Sequence, residues 1–291
     1  MPDPQLMQID GHTLAALTYN QSLTGTPIVF IHGFTASIAF WFQGQVPAIA
    51  ENHPWISLSL PGHYPAVLPQ GFGNADLTPD LFPQLLIPAI RKLVGDQPII
   101  LIGHSTGGFA ALLIAAAAPE MVKGVVSFAG FARGEWAGAL GEMQKQVQQG
   151  ALGLIKTKIQ LRMPTLHPSI LKSSLKLFAA DVDAIYAWPL IDASIADNFA
   201  YGKHLKPKSM IPYLAQMPTI DITDRLADIS APVLVLTGDS DPAYPRDEAG
   251  HLHQHLPNSE LVVFEGAGHM LTGERPTEYN AAVTAWLGTV V

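Results

Sequence analysis

Six short runs of almost unbroken apolar character recur along this chain: IVFIH (28–32), WISLSL (55–60), IILIG (99–103), GVVSFAG (124–130), PVLVLTG (232–238) and LVVF (261–264). A strand with one wet face alternates apolar and polar residues, whereas a strand covered on both faces is apolar throughout. Helix-like segments lie between the runs, so the pattern predicts a mainly parallel sheet with helices on both faces. Two further strands are predicted ahead of them, Gln5 to Ile9 and Thr13 to Thr18. They flank Asp10-Gly11, a dipeptide whose tolerance of φ > 0 suits a tight hairpin turn. Eight strands are therefore expected.

The spacing between runs is short except once. Between Gly130 and Pro232 lie about a hundred residues of helical periodicity without a convincing strand, too long for a plain connection. The expected organisation is a core of 1–131 and 219–291 with a helical cap, 132–218, inserted after strand 6. Charge divides at the same boundary. Residues 132–218 carry ten Lys/Arg against six Asp/Glu, net +4, while the remainder carries six against eighteen, net −12. With 291 residues, 48% of them hydrophobic, the chain can bury one large core.

The overall charge of −8 repels phosphates, which argues against a nucleic-acid partner. Cysteine is absent, which excludes disulfides, thiolate catalysis and Cys-type metal sites. The start, MPDPQLMQIDGHTLAAL, lacks a cationic segment followed by an apolar one, and no apolar run reaches bilayer length. A soluble, cytoplasmic protein without stable membrane insertion is expected, as a monomer or homodimer.

The run at 99–103 leads into GHSTG, Gly103 to Gly107, and then into an alanine-rich helical segment. This fits G-x-S-x-G, a strand-to-helix turn that lifts a serine clear of the sheet, with small residues where the elements crowd. The bland alternative is a glycine-rich turn with a hydroxyl capping the helix. A serine hydroxyl needs a base to take its proton and a carboxylate to orient that base. Two stretches supply them in the order Ser, Asp, His: VLVLTGDSDPAYP, with Asp239 and Asp241 just past a predicted strand, and LVVFEGAGHML, with His269 past the last one.

On these motifs the chain resembles the α/β-hydrolase superfamily, in its capped branch of serine esterases and C–C hydrolases. The likeness extends from the hairpin to the final helix. It implies an eight-stranded, mainly parallel α/β-hydrolase sheet, with Ser105 as nucleophile, His269 as general base and then acid, and Asp241 as the orienting acid. The family's G-x-x-D, here Gly238 to Asp241, favours Asp241, leaving Asp239 to brace the turn. The N–H of Thr106, next after the nucleophile, is one expected oxyanion donor. FIHGFTAS (30–37) resembles the family's His-Gly-X loop, which makes the N–H of Phe34 the other. One segment departs from the family's Asp-x-Pro-Gly-x-Gly-x-Ser: in SLPGHYPAV, Ser59, Tyr64 and Ala66 stand for the acid, a glycine and the serine.

The expected walls of the substrate site are Phe34, Trp41, His104, Phe131, Trp136, Trp188 and Met270, a mostly apolar set suited to a small-molecule ester. His104 is expected to pack and hydrogen-bond rather than to transfer protons. An aspartate at the elbow would have pointed to a haloalkane dehalogenase or epoxide hydrolase; Ser105 argues against both. Hydrolysis of a carboxylic ester through an acyl-enzyme is the expected reaction, with no cofactor and no metal. Lactone, thioester or C–C cleavage on the same triad is the alternative, and a buried basic residue such as Arg133 beside the triad would favour the C–C reading. A triad-bearing ligand receptor is a further alternative. In HLHQHL, His251 and His255 share a helical face, but no carboxylate motif accompanies them and a solvated surface is expected. The cap segments ALGLIKTKIQLRM and SILKSSLKLF mix apolar residues with lysines, as a lid or as a helix pair with a basic outer face.

Overall fold

A computed structural model of the protein describes residues 2–44, 46–244 and 247–290. Eight strands, β1 (Gln5–Ile9), β2 (His12–Tyr19), β3 (Ile28–Ile31), β4 (Trp55–Leu58), β5 (Ile99–His104), β6 (Val122–Phe128), β7 (Val233–Gly238) and β8 (Ser259–Phe264), form one sheet in the order β1-β2-β4-β3-β5-β6-β7-β8. The β1–β2 and β2–β4 pairings are antiparallel and all others parallel. The hairpin turns at Asp10 and Gly11, both at positive φ (46° and 75°), as a two-residue turn matching strand twist requires.

The apolar runs work as two-faced strands. Val29 and Ile31 of β3 and Leu101 of β5 enter the core on one face, while Ile28, Phe30, Ile100 and Ile102 enter a second core on the other. β8 is the exception among the six: it is the edge strand, and most of its residues are partly or largely exposed. An edge strand has a neighbour on one side only, so its apolar letters do not imply full cover.

The helices of the body are α1 (Pro47–Asn52), α2 (Leu81–Val94) and α3 (Thr106–Ala117). Between β6 and β7 come seven more, α4 (Gly138–Val147), α5 (Gly150–Arg162), α6 (Pro168–Ser174), α7 (Val182–Ala187), α8 (Ile191–Gly202), α9 (Pro207–Gln216) and α10 (Thr223–Leu226), with short 3-10 turns among them. The remaining helices are α11 (Glu248–His255), between β7 and β8, and α12 (Leu271–Glu274) and α13 (Pro276–Val290), after β8. Where this segment leaves and rejoins the body, Arg133 and Asp221 form an isolated antiparallel bridge. Gly134 N–H donates to Ile220 O and Ile222 N–H to Ala132 O, at 2.9 and 3.1 Å.

The strand order positions the site. From β3 the chain moves outward to β4 and then crosses back to β5, so the strand order reverses between these adjacent parallel strands, at whose carboxyl ends sheets of this kind place their sites.

Candidate active site

Ser105 sits between β5 and α3 at φ 57°, ψ −121°, a conformation that L-residues adopt only when their surroundings enforce it. The glycines on either side show what enforces it. A Cβ on Gly103 would lie 2.2 Å from Gly107 O, and one on Gly107 would lie 2.1 Å from Ile31 O. The turn therefore presses α3 onto β3 and β5 more closely than any side chain allows. Serine at its apex is left just 2% exposed.

The loop after β3 runs alongside. A Cβ on Gly33 would come within 3.0 Å of Ser105 Cβ, so His32-Gly33-Phe34 passes directly over the serine. Thr106 begins α3 and so has no intrahelical acceptor for its N–H. Among the described residues, neither that N–H nor the one on Phe34 donates to another group. Two fully buried histidines hold the loop. His32 Nδ1–H donates to Gly33 O at 2.9 Å, and its Nε2 accepts from Leu60 N–H at 3.2 Å. His63 Nδ1–H donates to Pro61 O at 3.2 Å, and its Nε2 accepts from Thr35 N–H at 3.3 Å. Their rings meet edge to face at 5.0 Å. Each ring thus needs the neutral tautomer, in keeping with desolvation, which lowers His32 to about 4 and His63 well below the usual histidine value. The Pro-Gly-His turn after β4 is in this way tied to the His-Gly loop after β3. Sequence reasoning passed over both rings, although each stands beside a Gly in a loop after a strand.

On the other side of Ser105, His269 Nδ1–H donates to Asp241 Oδ2 at 2.7 Å, with both side chains buried. Asp241 Oδ1 accepts from Ala243 N–H at 2.7 Å, which turns the carboxylate toward the ring. Asp239 does not touch His269; its Oδ1 accepts from Gly266 N–H at 2.8 Å and joins the acid loop to the histidine loop. His104 Nε2–H donates to the carbonyl of His269 at 3.2 Å, and its ring stacks on Phe40 at 4.7 Å. Burial, and then the neighbouring His269, lower its pKa well below the ordinary value, so it stays neutral.

Three features escaped the sequence. Ser105 Oγ has its hydrogen bond to the hydroxyl of Tyr244, at 2.8 Å, and no bond joins it to His269. Glu274, buried, accepts from four backbone N–H groups: Gly268, Met270, Ala180 and Asp181, at 2.8–3.0 Å. It thereby links the His269 loop to the chain ahead of α7, and Phe178 O accepts from His269 N–H at 2.9 Å. Glu248, also buried, accepts from the N–H groups of Ala132 and Arg133 and pairs with the Arg133 guanidinium at 2.7 Å. The sequence signal in each case was slight: Glu248 and Glu274 each stand among other charged and polar residues, and Tyr244 is a tyrosine three residues past Asp241.

The aromatic residues divide into two groups. Phe34, Trp136, Phe131 and Tyr244 form a continuous series, with ring centroids 5.2 Å apart for Phe34–Trp136, 6.1 Å for Phe131–Trp136 and 4.9 Å for Phe131–Tyr244. This series ends on Ser105 through the Tyr244 hydroxyl. Trp41 corrects an expectation. It is fully buried among Phe30, Phe40 and Phe128 in the core on the opposite sheet face, because its loop folds down over β3. Trp188 and Met270 pack with Ile185 and Ile191 in a small apolar cluster between the inserted helices and the His269 loop. Of the histidines in α11, His251 Nε2 bonds the Thr223 hydroxyl at 2.8 Å and His253 Nδ1 bonds Ser259 Oγ at 2.9 Å.

Residues 26–276 match the family described as alpha/beta hydrolase fold, and the chain belongs to it. It is 28% identical to the pimeloyl-[acyl-carrier protein] methyl ester esterase of Neisseria meningitidis, over 83% of this chain and 86% of that protein. It is 27% identical to a 2-hydroxy-6-oxononadienedioate/2-hydroxy-6-oxononatrienedioate hydrolase of Burkholderia vietnamiensis, over 96% and 93%. Among solved structures it is similar in fold to an esterase of Thermogutta terrifontis, with a TM-score of 0.74, 20% identity and 99% of both chains covered.

Proposed function

We propose that this member of the α/β hydrolase fold family is a serine hydrolase that cleaves a carboxylic ester of an apolar small molecule through an acyl-enzyme. The observation that carries the proposal is the buried 2.7 Å bond from His269 Nδ1–H to Asp241, set beside a serine held at φ 57°. With Nδ1 so engaged, Nε2 is the basic nitrogen of the neutral ring. It takes the proton of Ser105 as Oγ bonds to the ester carbonyl carbon. The carbonyl oxygen, now negative, accepts from the N–H groups of Phe34 and Thr106, which no other acceptor occupies among the described residues. His269 then protonates the departing alkoxy oxygen, and water repeats the sequence to release the acid. Phe34, Trp136 and Phe131 supply the apolar wall.

Residues 132–218 act in this proposal as the cap over the site. The bridge at Arg133 and Asp221 forms its neck, and the N–H bonds of Ala180 and Asp181 to Glu274 hold it to the histidine loop. Ester over C–C cleavage is favoured by the absence of a buried Lys or Arg among the described residues. Arg133 is engaged by Glu248 and Asp247. Among the described residues no helix is long and apolar enough to cross a membrane. A cytoplasmic location and a monomer or homodimer belong to the same proposal, tested by cell fractionation and sedimentation.

The direct test pairs the protein with its Ser105→Ala variant, using a fluorophosphonate probe and p-nitrophenyl esters of increasing chain length. Labelling should vanish in the variant, and turnover should fall by about 10⁵-fold or more, the scale at which losing a triad nucleophile acts. A variant that still turns over esters, or an intact protein that neither labels nor turns over, refutes the proposal.

A further inference from the structure

We infer that Tyr244 is a further catalytic residue, whose hydroxyl passes its hydrogen bond from Ser105 Oγ to the departing alkoxy oxygen and so serves esters with poor leaving groups. The inference rests on the serine hydrolase proposal and adds a group to it. Tyr244 and Ser105 are both buried, and their oxygens lie 2.8 Å apart. The tyrosine ring is held between Phe131, stacked at 4.9 Å, and His269, at 5.2 Å and 45°. Its hydroxyl therefore occupies one place, at the nucleophile and beside the base.

The direction of the bond follows from the chemistry. When the ester is attacked, Ser105 delivers its own proton to His269 Nε2, which leaves the Oγ lone pairs to accept, so in the reacting complex the phenol donates. Burial raises the Tyr244 pKa well above the ordinary phenol value, and the donor proton is retained throughout. Once Oγ has bonded to the carbonyl carbon it is an ester-type oxygen and a poor acceptor. The alkoxy oxygen about to leave is attached to that same carbon, one bond angle away. As the intermediate collapses, the carbonyl re-forms from the oxyanion and the C–O bond to the alkoxy group breaks with its electron pair passing to oxygen. The proton that His269 took from Ser105 goes to that oxygen. Tyr244 keeps its proton and contributes a hydrogen bond, which strengthens as negative charge develops.

A tyrosine that merely held the resting serine would affect every ester alike. A donor to the leaving oxygen matters most where that oxygen is most basic. The test compares the protein with Tyr244→Phe on an alkyl ester and a p-nitrophenyl ester of the same acid. It reads kcat/KM, which reports the acylation step in which the alkoxy group leaves. Expected is a loss of about 10- to 100-fold on the alkyl ester, the range of a hydrogen bond to a charged oxygen. On the p-nitrophenyl ester the loss is about threefold or less, the size of a weak neutral hydrogen bond.

Fluorophosphonate labelling accompanies the comparison, because fluoride leaves without a proton donor. A variant that labels at near the parent rate while losing alkyl ester turnover supports the role. Equal losses on both esters, or none, overturn it and leave the Ser105 proposal standing. A variant that neither labels nor unfolds cooperatively makes Tyr244 a structural residue and overturns it too. A parent protein that fails to label removes the underlying proposal, and this one with it.

Discussion

The sheet-bearing body and the helical segment between β6 and β7 bury their apolar residues to different degrees. In the body, β3, β4 and β5 are buried along their whole length, and α3 has no residue outside the core until its last turn. In the inserted segment, α5 buries only Gly153, Thr157 and Leu161, while Leu152, Ile155 and Ile159 are 82%, 56% and 58% exposed. The body is held by close packing of many apolar groups. Other parts of the segment share the body's core, with Met210 to Ala215 of α9 buried and Trp136, Leu140 and Leu161 packed in the same cluster, and directed bonds add to this: Glu274 to Ala180 and Asp181, Tyr213 Oη–H to Pro61 O at 2.8 Å, and Gln43 to Asp197 at 2.8 Å. Hydrogen bonds contribute about 1 kcal/mol each and can be exchanged for water, whereas a buried leucine cannot be exposed without losing several times that.

The comparison can be tested from both sides. The largest expected effect is Leu101→Ala in the middle of β5, which should cost about 2–5 kcal/mol in denaturant unfolding through a cavity the packed sheet cannot close. Leu152→Ser on α5 should stay within about 0.5 kcal/mol. If the two costs were alike, the contrast between the regions would be wrong.

Acidification is the next lever, and it acts on the body. His32, His63 and His104 all have pKa values lowered by burial, His32 to about 4. The unfolded chain binds these protons near the ordinary value of about 6.5, so between there and about 4 it gains protons that the native state refuses. Stability is full above about pH 6.5 and falls as the pH drops toward 4, with His32 alone contributing on the order of 3 kcal/mol. Unfolding temperatures measured across pH 7 to 4 should decline. His32→Gln, which supplies an amide in place of a titrating ring, should flatten the decline.

A more local effect sharpens the comparison at the junction. Glu274→Gln weakens four charge-assisted N–H bonds without emptying the space, at a cost of about 1–3 kcal/mol. Hydrogen exchange should quicken at Ala180 and Asp181 more than at β5. A uniform change across the protein would show that the segment and body open together.

Much of this was legible in the chain. The eight strands, the Asp10-Gly11 turn and the Gly103–Gly107 elbow depend on sterics and burial period within a few residues of one another, and such short-range rules act the same way wherever the segment ends up. That an aspartate after β7 would pair with His269 was expected from the order Ser, Asp, His, and the resemblance to the family's G-x-x-D favoured Asp241 over Asp239, which follows the same strand. β8 looked like its neighbours in sequence and differs in exposure only because it lies at the edge, a property of strand order.

What the tertiary structure alone decided was which side chains meet across long separations. Tyr244 lies 139 residues from Ser105, and His63 is 28 from Thr35. Glu274 reaches back 94 residues to Ala180. Trp41 was expected at the site and went to the core because its loop turned toward the other face of the sheet. Apolar letters record how much a residue gains by leaving water, but they carry no direction. The strand order and the paths of the loops supply that direction, and here they brought the Tyr244 phenol, rather than the His269 ring, against Ser105 Oγ.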